Sequence, residues 1–276
     1  MRSGILDWEL LNNTAKPFVA KIRREWLALL QQRLPEETYQ SYLHNHAGLF
    51  FDEWQGPLVI SKLRLGGDFV TDFILLEDCG SDGTVFHCIE IETPWTAPFT
   101  SKGNPSARLS AAIQQVQNWR RWLLDNRNQA LKLFPAFRVR AYREPTFKFK
   151  IIIGNRSNSL KWLDRRHDLA QALRIGIRSF DLFTDIFDRH LFANYAELYS
   201  TESSALGPPT KNTLANPFYC AYTDTTWRSV IKEPLRLDHF TAFNAATLLK
   251  HRTYSLAYSR FVRRYKPFLQ PTNSPV

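Results

Sequence analysis

The chain has 276 residues, 44% of them apolar, with eight Trp and twenty Phe: material for one sizeable core, and too much for disorder over most of its length. Its 36 basic and 26 acidic residues leave a net charge of +10, which favours a polyanionic partner, nucleic acid ahead of an anionic membrane surface. No apolar run approaches the ~20 residues of a membrane helix, the N-terminus lacks a signal-peptide core, and Cys79, Cys88 and Cys220 show no C-x-x-C spacing; these features argue against a membrane span, secretion, a disulfide framework or a zinc ribbon, and for the cytoplasm.

Residues 15–34 place Phe18, Val19, Ile22, Trp26, Leu29 and Leu30 at helical spacing. Pro35 restarts the chain, and a second helix is predicted from Glu36 to His44. Its Tyr39, Tyr42 and Leu43 face is predicted buried, with Glu37, Gln40, Ser41 and His44 on the other side. Asp68–Leu76 and Thr84–Thr93 are dense in β-formers around a Gly/Asp-rich turn, which predicts an antiparallel hairpin. Pro94, Pro98 and Pro105 break the chain into a loop. Ser106 then opens a helix of about five turns with Leu109, Ile113, Val116, Arg120 and Leu123 along one stripe. A strand over Phe147–Ile153, a charged helix over Leu160–Leu173, a short strand over Arg174–Phe180 and a helix over Asp181–Phe192 follow.

This alternation predicts an α/β domain over residues 1–195, with N-terminal helices. A linker is expected over 196–216, and a basic helical extension over 217–276. The extension holds nine Lys/Arg against three Asp/Glu, interleaved with aromatics. Either it docks as an amphipathic helix with a solvated basic face, or it grips nucleic acid or drives homo-oligomer formation.

The hairpin brings carboxylates together. With the turn centred on Ser81, Asp72 lies opposite Glu90, and Glu92 shares the face of Glu90 because strand side chains alternate. A one-residue slip would send Asp72 to the opposite face. Clustered carboxylates raise one another's pKa unless a cation neutralises them, and oxygen-only ligands suit Mg²⁺ or Mn²⁺. Such an ion activates water and stabilises charge on a phosphoryl oxygen. The competing reading of the Glu-Ile-Glu run is the solvated face of an edge strand. No P-loop and no G-x-S-x-G elbow is present, and His44-Asn45-His46 ends a predicted helix, where a capping or surface role is expected. Basic residues from Arg120 to Arg143 either line a phosphate-binding surface or are ordinary solvated charge.

The pattern around the hairpin resembles the PD-(D/E)XK nuclease signature. More specifically, the chain resembles the Shedu family of prokaryotic anti-phage defence nucleases over residues 35–190. The matching stretches are ETYQSYLHNHAGLF (Glu37–Phe50), GGDFVTDFILL (Gly66–Leu76), HCIEIETP (His87–Pro94) and AAIQQVQNWRRWL (Ala111–Leu123), with a weaker match at KIIIGNRS. The resemblance implies a restriction-endonuclease-like α/β core and Mg²⁺- or Mn²⁺-dependent hydrolysis of DNA phosphodiester bonds. It assigns the metal to Asp72 and Glu90, joined by Glu92, and adds Gln115 and Glu37 as flanking catalytic-site residues. Two positions depart from the signature: Thr71 replaces its proline, and Glu92 replaces its lysine. Glutamate cannot offset negative charge, so stronger dependence on metal is implied, and Lys102 in the next loop is the cation considered as a substitute. The rival expectation is a catalytically inactive nucleic-acid-binding or scaffold protein that keeps the nuclease fold.

Overall fold

Glycines, prolines and one buried aspartate decide where the elements begin and stop. A computed structural model describes residues 20–46, 50–51, 59–79, 83–134 and 146–192; the expected linker and basic extension lie outside the described residues. Residues 20–30 form helix α1, and Glu36–Asn45 form α2, with Pro35 at its N-cap. Strands β1 (Val59–Ser61), β2 (Arg64–Leu65), β3 (Phe69–Val70), β4 (Phe73–Asp78) and β5 (Thr84–Ile91) follow. Helices α3 (Ala107–Asp125) and α4 (Arg127–Leu133) lead to β6 (Thr146–Ile152). A short α5 (Arg156–Ser159), α6 (Leu163–Leu173), β7 (Gly176–Arg178) and α7 (Asp181–Phe192) complete the described residues.

The strand expected over residues 68–76 is two strands. Gly66 at φ +63° turns the chain, so β3 folds back on β2 as a separate two-stranded ladder, and β4 starts only after a bend at Asp72. β1 has no counterpart among the elements expected from sequence: three residues are too few to show a period. It pairs antiparallel with β4.

The fold is mixed α/β. Five strands lie in the order β1-β4-β5-β6-β7, antiparallel across β1, β4 and β5 and parallel across β5, β6 and β7. The central β5 is buried along its whole length, which explains its near-continuous apolar run. One face of the sheet, through Ile74, Leu76, Phe86, Cys88, Ile151 and Ile177, meets the α3 stripe of Leu109, Ala112, Val116, Trp119 and Leu123. Ser106 caps α3, accepting from the Leu109 N–H at 3.2 Å. An aromatic layer joins the other elements: Trp26, Tyr39, Phe50, Phe180 and Phe183 interlock with ring centroids 4.9–6.3 Å apart, and Phe51 sits 4.6 Å from Phe73 of β4. Among the described residues no helix is long and apolar enough to cross a membrane.

Gly154, just after β6, joins three segments. Its N–H donates to the Thr93 carbonyl, its own carbonyl accepts from Phe180, and its φ is +70°. A Cβ there would meet the Thr96 carbonyl oxygen at 2.7 Å. Gly154→Ala should therefore cost about 2–4 kcal/mol, the sum of a left-handed backbone and overpacking against main chain. A urea unfolding midpoint within error of wild type would refute this.

Candidate active site

The β4–β5 ladder pairs Phe73 with Ile89 and Ile74 with Cys88. One further step puts Asp72 opposite Glu90, the register expected from the turn. Both carboxyls are buried side by side, which favours the protonated form of Glu90. Burial pushes the Glu90 pKa far up, and the Asp72 charge and the shared hydrogen bond push it further.

Asp72 is held from several sides. Its Oδ2 accepts from the Ile91 N–H at 2.8 Å. Its Oδ1 accepts from Lys62 Nζ at 2.8 Å and from the Gln40 side-chain amide. Its carbonyl accepts the Lys62 N–H at 3.0 Å. The bend that separates β3 from β4 is thus the place where Asp72 leaves the ladder. Lys62 is fixed in turn, with φ +54°, a conformation that costs a side-chain-bearing residue roughly 1–2 kcal/mol.

Glu90 and Glu92 are differently placed from Asp72, because each has an Oε2 that is buried without a hydrogen-bond partner. Glu92 lies just past the end of β5, where its N–H donates to Ile152. Arg108, in the first turn of α3, approaches Glu92 Oε2 at 3.7 Å, close enough for charge attraction and too far for a hydrogen bond. Burial raises the Glu92 pKa, Arg108 opposes that, and Asp72 adds to it.

The N-terminal helix contributes a different acid from the expected one. Glu37 is exposed, whereas Glu36 is half-buried towards the site. The Glu36 pKa is raised to about 7 by burial first, then by the charges of Asp72, Glu92 and Glu37, with Lys62 opposing. Gln40, one helical turn after Glu36, is the residue that bonds Asp72 and is buried rather than solvent-facing. Gln115 is half-buried on the α3 stripe of Arg108, two turns along; among the described residues no hydrogen bond joins it to the carboxylates. Lys102 is exposed in its loop, and the cations facing the acids are Lys62 and Arg108. His44 contacts the Ser61 hydroxyl and His46 packs on Tyr42 at 4.6 Å, so the His-Asn-His run has structural partners.

The donor set tests well for a hard divalent cation in one respect. Buried carboxyl oxygens with no partner on Glu90 and Glu92 are groups a cation would satisfy. Among the described residues no three acidic, His or Cys side chains close on one point. A cation there would draw part of its shell from water or substrate phosphate.

Residues 33–183 match the family model described as Shedu protein SduA, C-terminal. No curated protein matches the chain.

Proposed function

The chain belongs to the Shedu family, and on that premise we propose that it is a divalent-metal-dependent nuclease of the PD-(D/E)XK type. It would hydrolyse phosphodiester bonds of DNA in prokaryotic anti-phage defence, within the cytoplasm. The observation that carries the reading is the buried pair of Asp72, at the bend just before β4, and Glu90 of β5, with Glu90 Oε2 unsatisfied.

Asp72 and Glu90 would hold Mg²⁺ or Mn²⁺, with Glu92 available from the strand end. The bound ion would lower the pKa of a water and stabilise charge on the scissile phosphoryl group. The chain's own residues do the rest. Ile91 N–H and Gln40 orient the Asp72 carboxylate. Lys62, arriving from the end of β1, supplies the positive charge that glutamate at position 92 cannot supply. Glu36, half-buried with a pKa raised to about 7 by burial and by the neighbouring carboxylates in the metal-free chain, is the α2 carboxyl assigned to proton exchange with water. Residues 217–276, by charge and aromatic content, would add a grip on DNA or on a second copy of the chain.

Incubation of the full chain with plasmid and linear duplex should give nicking or cleavage with Mg²⁺ or Mn²⁺ and none in excess EDTA. Cleavage at equal rate in EDTA would overturn the metal mechanism. DNA binding without cleavage at any metal concentration would favour the non-catalytic reading, which position 92 already motivates.

A further inference from the structure

On the far edge of the sheet, α6 and β7 enclose a cleft of about 360 Å³. Arg166, His167, Gln171 and Arg174 line it from α6 and its C-cap, and Arg178 lines it from β7. No carboxylate lines it, and none of the three arginines forms an ion pair among the described residues. Arg166 is half-buried, while Arg174 and Arg178 are exposed. Burial and the nearby Arg178 charge lower the Arg166 pKa, so an anion bound in the cleft would be favoured by both charges. The backbone of Arg174 is fixed in the left-handed region (φ 52°), its N–H bonded to Gln171 and its carbonyl to Arg120. β7 is the edge strand, with no partner on its outer side among the described residues. Edge N–H groups are further donors for an anion.

We propose that this cleft is a second nucleic-acid contact, where Arg166, Arg174 and Arg178 bind consecutive phosphates of a DNA backbone. This rests on the reading of the chain as a DNA-acting protein. The lining chemistry selects among anions. No Phe, Tyr or Trp lines the cleft, and guanidiniums dominate its lining. Guanidiniums bind backbone phosphates, and such a contact is indifferent to sequence. Position fits too. Ile91, Ile152 and Arg178 are aligned across β5, β6 and β7. Two strand spacings put the Arg178 backbone about 10 Å from that of Ile91, roughly three base-pair steps of duplex. Ile91, Ile152 and Arg178 end their strands, so Arg178 and Glu90 lie at the same end of the sheet, with the Arg178 side chain on the opposite face and the backbones less than one helical turn of duplex apart.

The test is equilibrium binding of a fluorescent random-sequence duplex to the full chain, in EDTA, over a series of NaCl concentrations. Arg166→Ala combined with Arg178→Ala should weaken binding roughly 10- to 100-fold and reduce the slope of log K against log salt by about two. Arg166→Lys with Arg178→Lys should keep most of the slope. Arg174→Asn, whose new side chain tolerates the left-handed backbone, should reduce it by about one without lowering thermal stability. Working in EDTA separates this contact from the metal site: wild type that binds steeply with salt but never cleaves leaves the proposal standing. An unchanged slope and Kd in the alanine and asparagine variants would overturn it. So would tripolyphosphate binding that the variants lose while duplex binding does not move.

Discussion

Glu90→Gln should abolish metal-dependent cleavage, by roughly a thousandfold or more, and at the same time make the metal-free protein more stable. Loss of activity follows if Glu90 is a metal ligand and not only a neighbour of one. The gain in stability follows from its burial. In the folded chain the Glu90 pKa stands far above its ordinary 4.5, so the stability its protonated form confers is complete below pH 4.5 and drains away as pH rises towards the folded value. Glu36, raised to about 7, changes in the same direction. His87 works the other way: burial lowers its pKa from 6.5, so it removes stability only as pH falls below that value. The clean window is therefore pH 7 to 9. Across it wild type should lose stability without metal, and Glu90→Gln should lose less. A neutral amide can still donate to Asp72, so the variant should gain about 1–2 kcal/mol at pH 8, or about 2–8 °C in Tm. Saturating Mn²⁺ should reverse the order, adding about 2.7 kcal/mol to wild type at a hundredfold excess over Kd and nothing to the variant. Thermal melts with and without Mn²⁺ read both effects. A variant that melts lower than wild type without metal would show that Glu90 is a structural partner and not a frustrated acid.

Phe180→Ala should be the most destabilising single truncation in the aromatic layer, at about 3–5 kcal/mol and roughly 6–20 °C in Tm. Phe180 is fully buried, with its ring against Trp26, Tyr39 and Phe183, and its N–H donates to Gly154. The consequence for the site runs through Tyr39, which precedes Gln40 on α2. A cavity under Tyr39 loosens the helix that carries Glu36 and Gln40, so hydrogen exchange should speed up in α2 before it does in β5. Leu124→Ala, at a position 74% exposed, is the matched control and should shift stability by no more than about 0.5 kcal/mol. If Phe180→Ala kept wild-type protection in α2, the aromatic layer would not be what holds that helix to the sheet.

Much of the site was legible in the residues. The β4–β5 hairpin and its register could be read because the turn composition and the strand alternation act over a few residues. Asp72 opposite Glu90 follows from that local geometry. Helices α2, α3 and α7 carried their own start signals in Pro35, Ser106 and Asp181, and the family resemblance spans nearly the stretch that the family model matches. The contacts around those carboxylates were not legible. Helical spacing on α2 cannot say that Gln40 rather than Tyr42 is buried, because both lie beside the apolar stripe; Asp72, 32 residues away, decides it.

Lys62 marks the same boundary. No motif distinguishes it from the chain's other lysines, and Lys102 was nearer in sequence to Glu92. Only the sheet, by pairing β1 with β4, carries Lys62 to Asp72. The amino-acid sequence by itself determined the main helices, the hairpin register and the acidic pair, since those depend on local backbone preference and strand period, but not β1 or the break between β3 and β4. The tertiary structure alone decided which helix acid and which cations attend the pair, and which oxygens stay unsatisfied. Those depend on long-range packing and on burial, which is also the leading cause of the raised pKa values of Glu36, Glu90 and Glu92.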